Sequence, residues 1–355
     1  MNVKKVGSAN GRNRGSVALI ATFVVAMMVA ASASLLFVGG DNNHDADDTV
    51  FGSGPAIDIS YKDVSEIQDE IQGAINKGSA GSGIKVNGEK DDADVTLYLF
   101  IPKGMTVTWN AEYEGNVPGA MIHINSASQY GPYNGNFADD FSGTFRVTGS
   151  GTICNISDGG IALSVDHGNV MTAGVIESGM SLFSSDPNAG QYGIGIEVGE
   201  GNVTVTGGSV NALWAYGIGI RVGEGNVTVT GGDIFVDEYG AGIYVDKGNV
   251  TMTGGAVYTW NPGVAGIRIT EGSLNMTGGS ISTTNNFTTA ILLGSPTTEG
   301  YATIRGGSVT TGTHYAIHVV NGAAVYLEGT VKGGFQADEG FVADEGFIVC
   351  ATHYY

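Results

Sequence analysis

The chain has 355 residues, of which 59 are Gly, and it carries 15 Lys and Arg against 35 Asp and Glu, a formal net charge of −20. This acidic balance excludes a nucleic-acid partner, because phosphates require a basic surface. Two cysteines, Cys154 and Cys350, are too few for a disulfide scaffold, and we interpret Cys154 as a free buried thiol rather than half of a bridge.

The amino terminus has the composition of a membrane signal. Residues 1–15 form a basic flank, and residues 16–38 contain no charged side chain, which is long enough to span a bilayer. Because basic flanks stay in the cytoplasm, the remainder of the chain is predicted to lie outside the membrane. The sequence Ala31-Ser32-Ala33 offers a cleavage-like site. A retained signal anchor and a cleaved signal peptide, which would leave a secreted protein, therefore both remain open.

A spacer and a capping segment follow. Residues 39–56 are acidic and Gly-rich, as in a flexible linker. Within the predicted amino-terminal cap, residues 57–94, the run DVSEIQDEIQGAINKG places its apolar side chains on one helical face. Asp63 and Glu66 have the spacing of a capping box. We expect this amphipathic helix to cover the open apolar end of the domain that follows.

Internal repeats dominate residues 95–335. The phrase GNVTVTGG begins at Gly201 and Gly225, and shortened or drifted copies begin at Gly248 and Gly272, so the intervals are 24, 23 and 24 residues. Apolar and polar residues alternate within each copy, which is typical of strands with one buried face. A coil of three short strands buries its apolar face only by stacking on further coils, so the repeat predicts a solenoid. Residues 336–355 are interpreted as a carboxy-terminal cap.

The repeated GNVTVTGG coil resembles the right-handed parallel β-helix of secreted proteins of the pectate-lyase-like superfamily and of archaeal and bacterial adhesin-like surface proteins. The resemblance implies an all-β, three-sheet parallel β-helix with an amino-terminal capping helix, preceded by a single transmembrane or signal-anchor helix. It implies little about activity, because this fold carries lyases, hydrolases, passive glycan binders and adhesins.

Six Asn residues stand in glycosylation-type sequons: Asn155, Asn202, Asn226, Asn249, Asn275 and Asn286. Asn202, Asn226 and Asn249 share one position of the coil. Their side chains are therefore predicted to form a structural ladder of hydrogen bonds along the solenoid. Asn286, in an insertion, is the preferred acceptor if the host glycosylates.

Aligned copies also predict a column of charged and aromatic side chains on the outer surface. The column contains Glu197, Arg221, Tyr244 and Arg268. Glu197 and Arg221 are expected to be direct neighbours, with Tyr244 between two guanidinium groups.

An aromatic patch is predicted on three consecutive coils. Its residues are Trp214, Tyr216, Phe235, Asp237, Tyr239, Tyr258 and Trp260. Flat aromatic faces suit sugar rings, and a nearby carboxylate bonds hydroxyl groups, so these residues are candidates for glycan binding. The alternative is an aromatic stack that stabilises neighbouring strands. The aromatic-rich loop 126–143 is expected to flank this surface.

The sequence shows no ordered row of acidic and basic residues of the kind that β-helix lyases and hydrolases use. We therefore predict no catalytic residue, no metal and no cofactor. The favoured function is a membrane-tethered, cell-surface adhesin-like or glycan-binding protein, whose partners are a polysaccharide or surface glycan and the membrane. A polysaccharide lyase or glycoside hydrolase is the alternative, and a purely structural envelope protein is the third possibility.

Overall fold

The computed structural model describes residues 54–130, 136–179, 193–260, 263–284, 288–298, 300–320, 324–327 and 330–337. The predicted membrane segment, the linker as far as residue 53, Asn286, Cys350 and residues 338–355 lie outside the described residues.

The described chain consists almost entirely of short strands. The first are β1 (Ala56–Asp58), β2 (Gly83–Asn87), β3 (Glu89–Ala93), β4 (Leu97–Leu99), β5 (Thr106–Trp109), β6 (Glu112–Gly115), β7 (Ala120–Ile124), β8 (Thr144–Val147) and β9 (Thr152–Asn155). They are followed by β10 (Ile161–His167), β11 (Asn169–Thr172), β12 (Val175–Ser178), β13 (Ile194–Glu200), β14 (Val203–Val205), β15 (Ser209–Ala215), β16 (Ile218–Glu224), β17 (Val227–Val229) and β18 (Asp233–Glu238). The last are β19 (Ala241–Met252), β20 (Ala256–Thr259), β21 (Ala265–Met276), β22 (Ser280–Thr283), β23 (Thr289–Leu293), β24 (Gly300–Ile304), β25 (Ser308–Val319), β26 (Ala324–Leu327) and β27 (Thr330–Ala337). The helices are α1 (Val64–Lys77), α2 (Ala127–Tyr130) and α3 (Phe137–Asp140).

These strands form three parallel columns. The first column runs β1, β2, β5, β8, β11, β14, β17, the second half of β19, the second half of β21, β24 and β26. The second runs β3, β6, β9, β12, β15, β18, β20, β22 and the first halves of β25 and β27. The third runs β4, β7, β10, β13, β16, the first halves of β19 and β21, β23, and the second halves of β25 and β27.

The predicted parallel β-solenoid is confirmed, with about nine turns. Equivalent residues of successive copies pair directly, as Val203 does with Val227 and Val227 with Val250. The inward side chains of all three columns join in one continuous apolar core. The ladder also extends upstream of the predicted boundary at residue 95, because β2 and β3 pair in parallel with β5 and β6.

The glycine that opens each copy of the repeated phrase has a steric cause. Gly225 has φ of +148°, and a Cβ on it would lie 1.7 Å from the carbonyl oxygen of Gly201 in the preceding coil. Gly201, Gly248 and Gly272 repeat this geometry. A side chain fits neither the conformation nor the space, which explains why the repeated phrase begins with Gly.

Helix α1 has the features that its sequence predicts. The Asp63 side chain accepts from the Glu66 N–H at 2.8 Å, and the Glu66 carboxylate accepts from the Asp63 N–H at 3.2 Å, so the capping box is confirmed. One helical face is buried, through Val64, Ile67, Ile71 and Ile75.

The polar side chains of α1 bind the edge of β4, the first strand of the third column. The N–H groups of Tyr98 and Phe100 donate to the amide oxygens of Gln68 and Gln72 at 3.0 and 2.9 Å. The Gln72 amide donates in return to the Phe100 carbonyl at 3.2 Å. Because β4 is the first strand of its column, no earlier strand can pair with its backbone. These two glutamines supply hydrogen-bond partners in place of that strand.

Candidate functional site

The asparagines that share a coil position are connected side chain to side chain. The Asn226 amide donates to the Asn202 Oδ1 at 3.0 Å, and the Asn249 amide donates to the Asn226 Oδ1 at 3.0 Å. Each Oδ1 also accepts the backbone N–H of the next member at 3.1 Å. The ladder begins one coil earlier, at Asn169, and ends where the Ser273 hydroxyl donates to Asn249.

The environment of the sequon asparagines differs from one to another. Asn155 is fully buried, and its amide donates to the carbonyls of Val117, Gly119 and Ile161 at 3.0 Å each. Asn275 falls in the neighbouring outward column of threonines, paired with Thr251, and is exposed. Asn155 and the ladder members therefore have structural roles that explain their presence without glycosylation.

The predicted aromatic patch lies at the bend between the second and third columns. Tyr216 and Tyr239 precede the paired strands β16 and β19, and Trp260 follows β20. These three side chains are 50, 45 and 52% exposed. Tyr216 and Tyr239 also have positive φ, at 62° and 50°, a conformation that is rare for an aromatic residue.

Two ring contacts link members of the patch. The Tyr216 and Tyr239 rings lie 5.3 Å apart at 30°, so each covers part of one face of the other. Trp260 meets Phe235 edge to face at 6.5 Å. Phe235 is only 8% exposed, and the expectation that it is an exposed contact was wrong. Its place in the alternation along the strand is an outward one, but neighbouring side chains cover it.

The remaining patch residues occupy the positions that the alignment predicts. Phe235 pairs with Tyr258 in the next coil and with Asn211 in the preceding coil. Tyr258 and Asp237 are half-buried. The backbone of Trp214 belongs to β15, and its side chain lies outside the described part of the structure. Trp260 is therefore the patch residue whose exposed ring surface is best placed for a ligand.

The aromatic loop 126–143 occupies a different corner from the patch. It connects β7 in the third column to β8 in the first. Its Tyr130 and Phe141 rings pack on Phe100, at 4.8 and 6.4 Å between centroids, and Phe137 stacks on Phe141 at 4.7 Å. The expectation that it flanks the patch was wrong for the described part of the loop, because Tyr130, Phe137 and Phe141 pack at Phe100, near the start of the solenoid.

The second column continues from the patch into a buried acidic stretch. Glu114, Cys154 and Glu177 are directly paired on three coils. Burial raises the pKa of Glu177, while the hydrogen bond from the Asn211 amide at 3.0 Å opposes this shift. Cys154 is buried with a free thiol, as predicted, and burial raises its pKa, an effect that Glu177 and Glu114 increase.

The predicted charged column is confirmed on the outer surface of the third column of strands. Arg221 pairs with Glu197, with 3.3 Å between Nη1 and Oε1. The Tyr244 ring lies between two guanidinium groups, 6.0 Å from that of Arg221 and 4.8 Å from that of Arg268.

Comparison of the chain with protein-family models, with curated proteins and with solved structures finds no match. The described helices include none that is both long enough and apolar enough to cross a membrane.

Proposed function

We propose that the protein is an adhesin-like, glycan-binding surface protein without catalytic activity, and that the aromatic patch is its binding surface. The observation that carries this proposal is the exposed ring of Trp260 on an otherwise rigid solenoid, with Tyr216 and Tyr239 exposed on the two preceding coils. Aromatic faces bind the apolar faces of sugar rings, and a preformed surface loses little conformational entropy on binding.

The spacing of the patch sets the size of the ligand. Successive coils are about 4.8 Å apart, so residues on three consecutive coils span about 10 Å along the solenoid. This length accommodates a short oligosaccharide chain better than a monosaccharide. Asp237, beside Trp260 in the alignment of coils, supplies a carboxylate for hydroxyl groups.

The proposed setting is the outer face of the cell membrane, with residues 16–38 as a retained anchor or a cleaved signal. We expect the solenoid to wind right-handed, as the resemblance implies, because parallel crossovers strongly prefer that hand. Helix α1 acts as the amino-terminal cap and residues 336–355 as the carboxy-terminal one. Net negative charge keeps such a domain soluble and self-repelling.

The test is a glycan array with the full-length protein in detergent, followed by affinity measurements on Trp260→Ala. We expect this variant to lose roughly 2 kcal/mol of binding free energy for the selected glycan, since aromatic anchors dominate such contacts. The unfolding free energy should change by about 1 kcal/mol.

Tyr301→Ala is the matched control, because Tyr301 is another exposed aromatic residue but belongs to β24 in the first column. It should bind the glycan as the wild type does. Equal losses in both variants, or no glycan bound by the wild type, would contradict the proposal. Release of reducing ends from the selected glycan would instead favour the hydrolase or lyase alternative.

A further inference from the structure

A polar groove runs across the ends of the third-column strands, away from the aromatic patch. It has a volume of about 160 Å³ and crosses four coils, from β10 to β19. The groove exists because the row that begins with Asp166 and ends with Asp246 has glycine, Gly199 and Gly223, at its two middle positions. With three intervals of about 4.8 Å, the two carboxylate-bearing residues are about 14 Å apart along the axis.

The two glycines cannot be replaced without changing the floor of the groove. A Cβ on Gly199 would lie 2.7 Å from the carbonyl oxygen of Asp166, and one on Gly223 would lie 2.6 Å from that of Gly199. The floor is therefore backbone, and the side chains that reach the groove stand at its ends and along one wall.

A hydrogen bond and an ion pair hold these side chains in place. The His123 Nε2 lies 2.7 Å from the Asp166 Oδ1 at one end. Along the wall, Arg221 donates to Glu197 at 3.3 Å, and its guanidinium lies 6.0 Å from the Tyr244 ring. Preorganised donors and acceptors of this kind lose little entropy when they bind a polar ligand.

The Ser164 hydroxyl is the second observation that points to a ligand. Ser164 lines the groove beside Glu197, with which it pairs in register, and it is only 6% exposed. Within the described part of the chain, no group forms a hydrogen bond with its hydroxyl. The oxygen atom itself is not sealed from solvent, so the groove leaves this hydroxyl open to a partner from outside the chain.

We propose that this groove binds a single sugar residue that carries no negative charge, as a second site separate from the aromatic patch. The volume equals about five water molecules at roughly 30 Å³ each, which matches one sugar ring. At the end of the groove that contains Asp166, Ser164 and Arg221 supply donors, and Asp166 and Glu197 supply acceptors within two coil intervals, the combination that vicinal hydroxyl groups require. The lining residues of the whole groove have one positive and three negative side chains, a formal charge of +1 − 3 = −2, so a uronate or sulfated sugar is repelled.

The experiment is saturation-transfer NMR on the full-length protein with the methyl glycosides of glucose, galactose and mannose, with glucosamine, and with glucuronate. At least one uncharged or amino sugar should receive saturation, and glucuronate should not. Ser164→Ala and Asp166→Asn should each raise the dissociation constant of that sugar about tenfold or more. Asp139→Asn, an exposed carboxylate on α3, is the control and should bind as the wild type does.

The variants separate this site from the aromatic patch. Trp260→Ala should leave the groove signal unchanged whether or not the patch binds glycan. Ser164→Ala removes a single oxygen atom, so it guards against a variant that only fails to fold. The proposal is overturned if no uncharged or amino sugar receives saturation, if glucuronate binds equally well, or if the groove variants bind like the wild type. A signal that Trp260→Ala abolishes and Asp166→Asn preserves would also overturn it.

Discussion

At the scale of single residues, the alternation of apolar and polar positions decides which side chains are buried. Val203, Val205, Val210, Ile220 and Val222 of one coil are all inside the core, as their period predicts. Ile218 is an exception, being half-buried, because it directly follows the bend at Tyr216. The alternation along a strand determines whether a side chain points inward or outward, but it does not determine how far neighbouring residues cover that side chain.

Adjacent residues on one strand provide a direct test of this assignment. Val227 is fully buried and Thr228, next to it on β17, faces outward. Val227→Asp should lower the unfolding free energy by about 3–5 kcal/mol, because it buries an unpaired charge. Thr228→Asp should lower it by less than about 1 kcal/mol. Urea denaturation measures both, and equal losses would contradict the inward and outward assignment.

Phe235 marks the limit of sequence reasoning at this scale. The repeat predicts that its side chain takes an outward position. The alignment of copies places it between Asn211 and Tyr258, as the structure does. Its burial depends on the rotamer of Trp260, which meets it edge to face. The groove shows the same limit. The aligned copies predict that Glu197 pairs with Arg221. They do not predict the recess, because its glycines are interpreted from sequence only as turn residues.

At the scale of elements, the repeated phrase combines a corner and a strand. Its first Gly permits the corner, its Asn continues the ladder, and its two Val residues enter the core. The upstream coils lack this phrase, which is why the sequence placed the beginning of the solenoid at residue 95 although β2 and β3 already pair with β5 and β6. Helix α1 was predictable because its signals are local.

The ladder is expected to contribute measurably to stability. Asn226→Ala removes the donor to Asn202 and the acceptor of both the side chain and the backbone N–H of Asn249. We expect a loss of about 1–2 kcal/mol in unfolding free energy, in line with lost hydrogen bonds to partly exposed groups.

Asn275→Ala is the matched control, since this Asn belongs to a sequon two coils after Asn226 but lies outside the ladder. It should change the unfolding free energy by less than about 0.5 kcal/mol. Asn226→Ser should recover part of the loss, because Ser273 already continues the ladder to Asn249. Identical denaturation midpoints for Asn226→Ala and Asn275→Ala would show that the ladder is energetically neutral.

At the scale of the whole molecule, charge and topology point to one setting. Acidic residues outnumber basic ones by 35 to 15, and the basic residues of 1–15 stand directly before the uncharged segment 16–38. The positive-inside rule predicts that residues 1–15 stay in the cytoplasm and that the solenoid lies outside the membrane. Sequence alone supports this orientation, because the segment itself lies outside the described residues.

Lysine labelling tests the orientation in the full-length protein. The reagent is a membrane-impermeant amine reagent, applied to cells from which the layers outside the plasma membrane have been removed. It should modify Lys85 and Lys247, which are exposed on the solenoid. Lys4 and Lys5 should be modified only after the cells are lysed, since the flank that contains them stays inside. Peptide mass spectrometry measures both sets, and absence of the Lys4 and Lys5 peptides from mature protein would identify a cleaved signal. If Lys4 and Lys5 are modified before lysis and Lys85 and Lys247 are not, the orientation is the reverse of the predicted one. The solenoid would then be unable to reach a glycan on the cell surface.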